Sequence, residues 1–306
     1  MSVGLKIVFF GTPSIAGEIL KYLLDNQVEV LAVVTKQDKP LGRKKELIPP
    51  PVKVLAKERG IAVYQPVKAS DPEFVSFLKT LHADLFVVAA FSEILKENLL
   101  EVSRLGCINV HASLLPKFRG AAPIQRCIMA GEKESGVTIM MMDKGLDTGG
   151  MLTVVKTSIY PDMNAGELAE QLIIIGSKAL LHVIQNFEAY TPIAQKNEES
   201  TYAKKLSLED AEIMWDAPAD QIYNQIRGVS PKPGAWCIVE VHGERKRLKL
   251  KKARLSSLQG IPGKIVGKPL IVACQSGAIE ILEVQLEGKK ELPSELFMRG
   301  TDNIKF

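Results

Sequence analysis

Uninterrupted apolar runs alternate with amphipathic stretches through the first half of the chain. Leu5–Phe10 is apolar apart from one lysine and ends at Gly11, and Val28–Val34 is a second run of the same kind. Both read as strands covered on two faces. Between them a helical pattern extends from Pro13 to about Asn26, and Pro13 suits a first helical turn, where its missing N–H leaves no bond unmade. Helical segments near 51–59 and 71–81 alternate with short strands at 62–64 and 84–90. A further strand at 107–111 runs into a loop, and a helix follows near 122–130. This alternation predicts an α/β domain on an open, Rossmann-like, mostly parallel sheet.

The grammar then changes. Gly136–Asp143 and Met151–Ser158 read as strands that add antiparallel pairing, and a long helix over about Ala165–Phe187 closes the domain. Residues 190–207 have little periodicity and read as a linker. Beyond 208 come a short helix at 218–228 and short strands broken by Pro233-Gly234 and Pro262-Gly263. They suggest a small OB-like β-barrel. The expected division is 1–189, a linker at 190–207, and 208–306.

Composition adds exclusions more than positive evidence. A chain of 306 residues with 46% hydrophobic and 24% charged residues matches an ordinary globular protein with room for two cores. The net charge of +4 is too small to imply nucleic-acid affinity, so any such affinity must lie in local clusters. Cys107, Cys127, Cys237 and Cys274 form no C-x-x-C pair and read as reduced thiols rather than a zinc site or disulfide frame. The N-terminus has no signal-peptide pattern, and apolar stretches stop short of the ~20 residues a membrane helix needs. A cytoplasmic monomer without membrane contact is the expectation.

Candidate chemistry centres on Asn109 and His111, two residues apart at the carboxyl end of a strand, where open α/β sheets bind ligands. Side chains two apart on a strand share a face. Asp147 follows in Lys144-Gly145-Leu146-Asp147-Thr148-Gly149-Gly150. A lone histidine after a strand is more often structural, and an aspartate among glycines is more often a turn former. Together, however, the three supply an amide that can donate to an oxyanion, a base titrating near ~6.5 and a carboxylate to steady its charged form. That set can join an amine to an acyl carbon without a metal or a covalent enzyme intermediate.

The wider pattern resembles a known family. Asn109-x-His111-x-Ser113-Leu114-Leu115-Pro116, Arg119-Gly120-Ala121-Ala122-Pro123 and Asp147-Thr148-Gly149 are similar to the folate-dependent formyltransferases. The likeness extends through Phe9-Phe10-Gly11-Thr12-Pro13, Lys39-Pro40-x-Gly42-Arg43, Pro49-x-Pro51-Val52-Lys53, Thr201-Tyr202-Ala203-x-Lys205-Leu206 and Pro262-Gly263, which narrows it to the branch acting on tRNA. The resemblance implies 10-formyltetrahydrofolate as donor and the methionyl α-amino group of initiator tRNA as acceptor. It implies Asn109, His111 and Asp147 as the catalytic set, and Ser113, Leu114, Leu115, Pro116 and Phe91 at the folate. An α-amino group has a pKa near ~7.7–8.0, so much of the acceptor is already neutral and the proton leaves after attack. The chain departs from the family pattern at Ala112 and Ser92, where glycine is usual, and at Phe91, where tyrosine is usual.

Two basic clusters bear on the acceptor. Lys36, Lys39, Arg43, Lys44, Lys45 and Lys53 crowd a loop bracketed by prolines. By composition it reads as a solvated loop, and the resemblance implies that Arg43, Lys44 and Lys45 meet tRNA. Arg43 has the planar group that both stacks and forks to phosphate. In Glu244–Arg254 a strand would put Arg245, Arg247, Lys249 and Lys251 on one face and Leu248 and Leu250 on the other. Lysine-protected edges are common, but four cations in line suit phosphate tracking. Trp215 and Trp236 read as core residues. Three rivals remain: a formyltransferase for small amines or sugar amines, an inert RNA-binding relative and a dehydrogenase. The last is disfavoured because Phe10-Gly11-Thr12-Pro13 is not G-x-G-x-x-G.

Overall fold

The computed structural model describes residues 4–41, 46–301 and 304–306. Its first elements are β1 (Lys6–Gly11), α1 (Ser14–Asp25), β2 (Glu29–Val34), β3 (Lys39–Leu41), β4 (Glu46–Ile48), α2 (Pro51–Glu58), β5 (Ala62–Tyr64), α3 (Pro72–Thr80), β6 (Leu85–Ala89), α4 (Glu97–Leu100) and β7 (Cys107–His111). There follow β8 (Arg119–Gly120), α5 (Pro123–Met129), β9 (Glu134–Met141), β10 (Met151–Ser158), α6 (Ala165–Gln185) and β11 (Tyr202–Ala203). The last stretch holds α7 (Ala219–Gly228), β12 (Ala235–Val241), β13 (Glu244–Ser256), β14 (Ile265–Gly267), β15 (Ile271–Ala273), β16 (Ala278–Leu286), β17 (Glu291–Pro293) and α8 (Ser294–Arg299).

Seven strands form one sheet in the order β10-β9-β7-β6-β1-β2-β5. β5, β2, β1, β6 and β7 are parallel, and β9 runs antiparallel to β7. The unbroken apolar runs behave as their patterning predicts: β6 is buried along its whole length, and β1 everywhere but Lys6. Phe10 packs against Phe86 with ring centroids 5.2 Å apart and meets Phe91 edge-on at 5.5 Å. Each such ring contributes ~1.5–3 kcal/mol through burial. α2 and α3 begin with proline in the first turn. Within the stretch bracketed by prolines, β3 and β4 pair antiparallel.

The chain divides into two compact units. One comprises 1–121, 136–157 and 169–202, and the other 122–135, 158–168 and 203–306. In the second, α7 presents buried Ile222, Tyr223 and Ile226 to a core shared with Cys237, Val239, Leu248, Leu250, Val272, Ile279 and Ile281. Its strands pair antiparallel in the order β12-β13-β16-β15-β14, with β17 added against β16. Among the described residues this pairing does not close a barrel; the sheet remains open, and its longest pairing, β13 to β16, is interrupted by bulges at Leu250–Ala253.

Candidate active site

Asn109 and His111 lie at the carboxyl end of β7, beside Val88 of β6 and opposite Met140 and Thr138 of β9. His111 is 5% exposed. Its Nε2–H donates to the Phe118 carbonyl at 2.9 Å, which places the ring's other nitrogen toward the carboxylate. Nδ1 stands 3.6 Å from Asp147 Oδ2. The Phe118 carbonyl therefore sets the tautomer of the neutral ring, with the proton on Nε2. The same Asp147 oxygen accepts a hydrogen bond from the Gly120 amide at 2.8 Å. Among the described residues the half-buried Asn109 amide has no hydrogen-bond partner, so its N–H groups are available to a reacting oxygen.

The Asp147 loop is held at several points. Asp143 accepts from the Gly145 amide and the Thr148 hydroxyl. Gln195 Nε2 donates to the carbonyls of Asp147 at 2.9 Å and Gly149 at 2.8 Å. Asp147 itself has φ 54°, left-handed for a non-glycine residue, a conformation that persists where its surroundings over-determine it. Two glycines are required here. Gly120 has φ 117°, and a Cβ on Gly149 would collide with the Met141 carbonyl oxygen. The loop after β7 is pinned by Thr138, whose hydroxyl donates to Ser113 O and accepts from Leu115 N–H.

The residues expected at the folate occupy different environments. Ser113 is buried with its hydroxyl committed to Lys117 O at 2.7 Å, and Leu115 is buried, while Leu114 and Pro116 are half-exposed. Phe91 is 3% exposed and belongs to the core around Phe10, between Ala90 and Ser92 at φ 47° and 60°. Lys36 lies 5.3 Å from the Phe91 ring and is ion-paired with Glu93. Arg43, Lys44 and Lys45 lie outside the described residues.

β13 alternates as its sequence predicts, with Leu248 and Leu250 buried and Arg245, Arg247, Lys249 and Lys251 directed outward. The four are not equivalent. The Arg247 guanidinium sits 4.2 Å from the Trp236 ring centroid, and Lys251 pairs with Glu291 at 3.3 Å. Among the described residues Arg245 and Lys249 have no carboxylate partner. Trp236 is partly buried and packs against the core of the second unit. It lies half-exposed on the outer face of β12, because Ala235, Cys237, Val239 and Val241 take the inward positions.

The cysteines are unpaired and buried, and burial pushes the thiols of Cys127 and Cys274 up to about 11 and that of Cys237 to about 12. They are neutral and unreactive near neutral pH. Among the described residues no group of three or more His, Cys, Asp or Glu could hold a metal ion. Sequence pattern missed Phe118, Gln195 and Thr201. A backbone carbonyl has no sequence signature, and the other two lie in the stretch read as linker, where only the Thr201-Tyr202-Ala203 likeness gave a signal.

Comparison with known proteins gives matches along most of the chain. Residues 5–184 match the formyl transferase family model, and residues 205–302 match the model of the formyl transferase C-terminal domain. The methionyl-tRNA formyltransferase of Protochlamydia amoebophila is 47% identical over 310 residues, covering 99% of this chain and 98% of its own. That of Chlamydia abortus is 47% identical over 312 residues, covering 99% and 97%. Among solved structures, the sugar 3N-formyl transferase WlaRD, crystallised with dTDP and 5-N-formyl-THF, superposes with a TM-score of 0.67 at 22% identity, covering 94% of this chain and all of its own.

Proposed function

This chain belongs to the formyl transferase family, and from that premise we propose a direct transfer carried by Asn109, His111 and Asp147. The enzyme moves the formyl group of 10-formyltetrahydrofolate to the α-amino group of methionyl initiator tRNA. The neutral amine attacks the formyl carbon, and the carbonyl oxygen gains negative charge facing the Asn109 amide. His111 Nδ1 takes the extra proton from the attacking nitrogen and returns it to the folate nitrogen as the carbon–nitrogen bond breaks. Tetrahydrofolate and the formylated amine are the products. Asp147 steadies the imidazolium while both ring nitrogens carry protons.

The observation that carries this reading is the divided use of one buried imidazole, with Nε2 tied to Phe118 O at 2.9 Å and Nδ1 facing Asp147 at 3.6 Å. The residues also suit the co-substrate: Leu114 and Pro116 offer half-exposed apolar surface beside the catalytic strand, and Phe91 backs the 90–92 turn. Acceptor binding is assigned to Arg43, Lys44 and Lys45 and to the outward cations of β13, Arg245, Arg247, Lys249 and Lys251. The proposal includes a cytoplasmic monomer; four free buried thiols suit a reducing compartment, and sedimentation across concentrations tests the monomer.

The test is a transfer assay with 10-formyltetrahydrofolate and methionyl initiator tRNA set against small amines and sugar amines. Rapid formylation of the tRNA alone is expected, and activity on small amines alone would overturn the assignment of the acceptor. Arg43→Ala should raise the tRNA concentration needed and leave folate binding intact.

A further inference from the structure

We infer that the segment Gln195–Thr201 is a strap that sets the geometry of both His111 and Asp147, with Thr201 and Gln195 as positioning residues. The inference rests on the reading above, in which those two side chains perform the proton chemistry. One arm runs to the histidine. The Thr201 hydroxyl accepts the Phe118 amide at 2.8 Å, and the Thr201 carbonyl accepts the Arg119 amide at 2.9 Å. These bonds fix the Phe118 backbone, held at φ 59°, whose carbonyl receives His111 Nε2–H. The other arm runs to the aspartate, where Gln195 Nε2 bridges the Asp147 and Gly149 carbonyls.

Arg119 joins the two arms. It is 2% exposed, and among the described residues its guanidinium donates to neutral oxygens, Gln195 Oε1 at 3.0 and 2.7 Å and Asn197 Oδ1 at 2.9 Å. A buried cation with only neutral acceptors confers little stability, yet it fixes the rotamer of Gln195 and so directs both amide hydrogens at the loop. The residue after it, Gly120, donates to Asp147 Oδ2. The strap thus converges on two non-glycine residues in the left-handed region, Phe118 and Asp147. Such conformations cost ~1–3 kcal/mol each and are retained where geometry is functional. A segment serving only to close the fold has no reason to terminate on the carbonyl holding the tautomer and on the backbone of the facing carboxylate.

Steady-state kinetics of Thr201→Val, Thr201→Ser and Gln195→Met test this, with His111→Ala alongside and thermal melts of each. Thr201→Val and Gln195→Met should lower kcat by ~10- to 100-fold, the scale of a misplacement near 1 Å, while KM for both substrates stays within about twofold. Thr201→Ser, which keeps the hydroxyl, should recover most of kcat. The strap is refuted if the first two variants keep wild-type kcat while His111→Ala abolishes transfer, or if Thr201→Ser loses as much as Thr201→Val. Should Thr201→Val not fold, Gln195→Met poses the same question on the aspartate arm. Transfer surviving in His111→Ala would instead remove the reading beneath the strap, and the strap with it.

Discussion

The catalytic cluster and the basic strand β13 are built by opposite means. Arg245, Arg247, Lys249 and Lys251 share a face because a strand repeats every two residues, and one segment of sequence specifies them all. Asn109 is placed by β7 alone, but His111 and Asp147 depend on pieces from β7, the 113–120 loop, the 143–150 loop and residues 195–201, joined by hydrogen bonds to backbone. The first arrangement should tolerate the loss of one member, because none of the four cations is held in place by another. The second should not, because His111 and Asp147 are each held by groups from other segments of the chain. Single substitutions should therefore have steep effects in the cluster and shallow ones on the strand.

The largest effects should come from the cluster. Asn109→Ala should lower kcat by ~10²–10³ with little change in KM, the scale of removing one oxyanion donor. His111→Ala should cost at least ~10²–10⁴, the range of a positioned acid–base group. Single-turnover transfer with saturating tRNA and folate reads both. Gly149→Ala sharpens the contrast, because it removes no functional group. Its Cβ meets the Met141 carbonyl, so the Asp147 loop must shift, and kcat should fall by ~10-fold or more. A Gly149→Ala enzyme with full kcat would mean that the loop's position matters less than its chemistry.

How much of this was legible in sequence follows the same division. The parallel sheet was readable because β1 beyond Lys6, β6 throughout and β2 over Ala32–Val34 are buried and so run apolar. Leu248 and Leu250 marked the one buried face of β13 by alternating with charged neighbours. Asn109 and His111 could be paired on a face by their spacing. What brings Asp147 to His111 was not readable, since it depends on backbone conformation at Phe118 and Asp147 and on Gln195 far along the chain. Residues 190–207 looked like a linker because aperiodic sequence gives no sign of side chains bonding into a loop elsewhere. Trp236 does pack against the core, but residue type alone did not reveal that it takes a half-buried rather than an inward position on β12.

The basic strand should respond in graded fashion. Neutralising Arg245 and Lys249, which have no carboxylate partner among the described residues, should weaken tRNA binding and reduce the slope of log K against log salt by about one per cation. Lys251→Gln should do less, because its charge is already shared with Glu291. Arg247→Lys should lose the stack on Trp236 while keeping the charge, leaving the salt slope intact and affinity lower by ~0.5–1 kcal/mol. Equal effects at all four positions would show that the alternation alone, without these local partners, governs the strand.

The smallest effect tests whether convergent polar fixtures are confined to the catalytic cluster. In the second unit the Arg126 guanidinium forks onto Asp210 at 2.8 and 2.7 Å and donates to Lys204 O, while Asp210 also accepts the Ser207 amide. The Arg126 fork holds the Asp210 carboxyl below the usual aspartate range. With the folded value lower than the unfolded ~3.9, the folded state resists protonation, so this contribution is complete above the unfolded pKa. It is lost as pH falls through the folded value. Asp210→Asn should therefore cost about 1 kcal/mol near neutral pH, and its deficit in Tm should shrink below about pH 4 as the wild-type carboxylate takes up its proton. Kinetics at neutral pH should be unaffected in kcat. A deficit constant with pH would mean that the fork acts through packing of the 204–210 segment rather than through charge, and the contrast between an aimed cluster and a simply patterned second unit would stand unmodified.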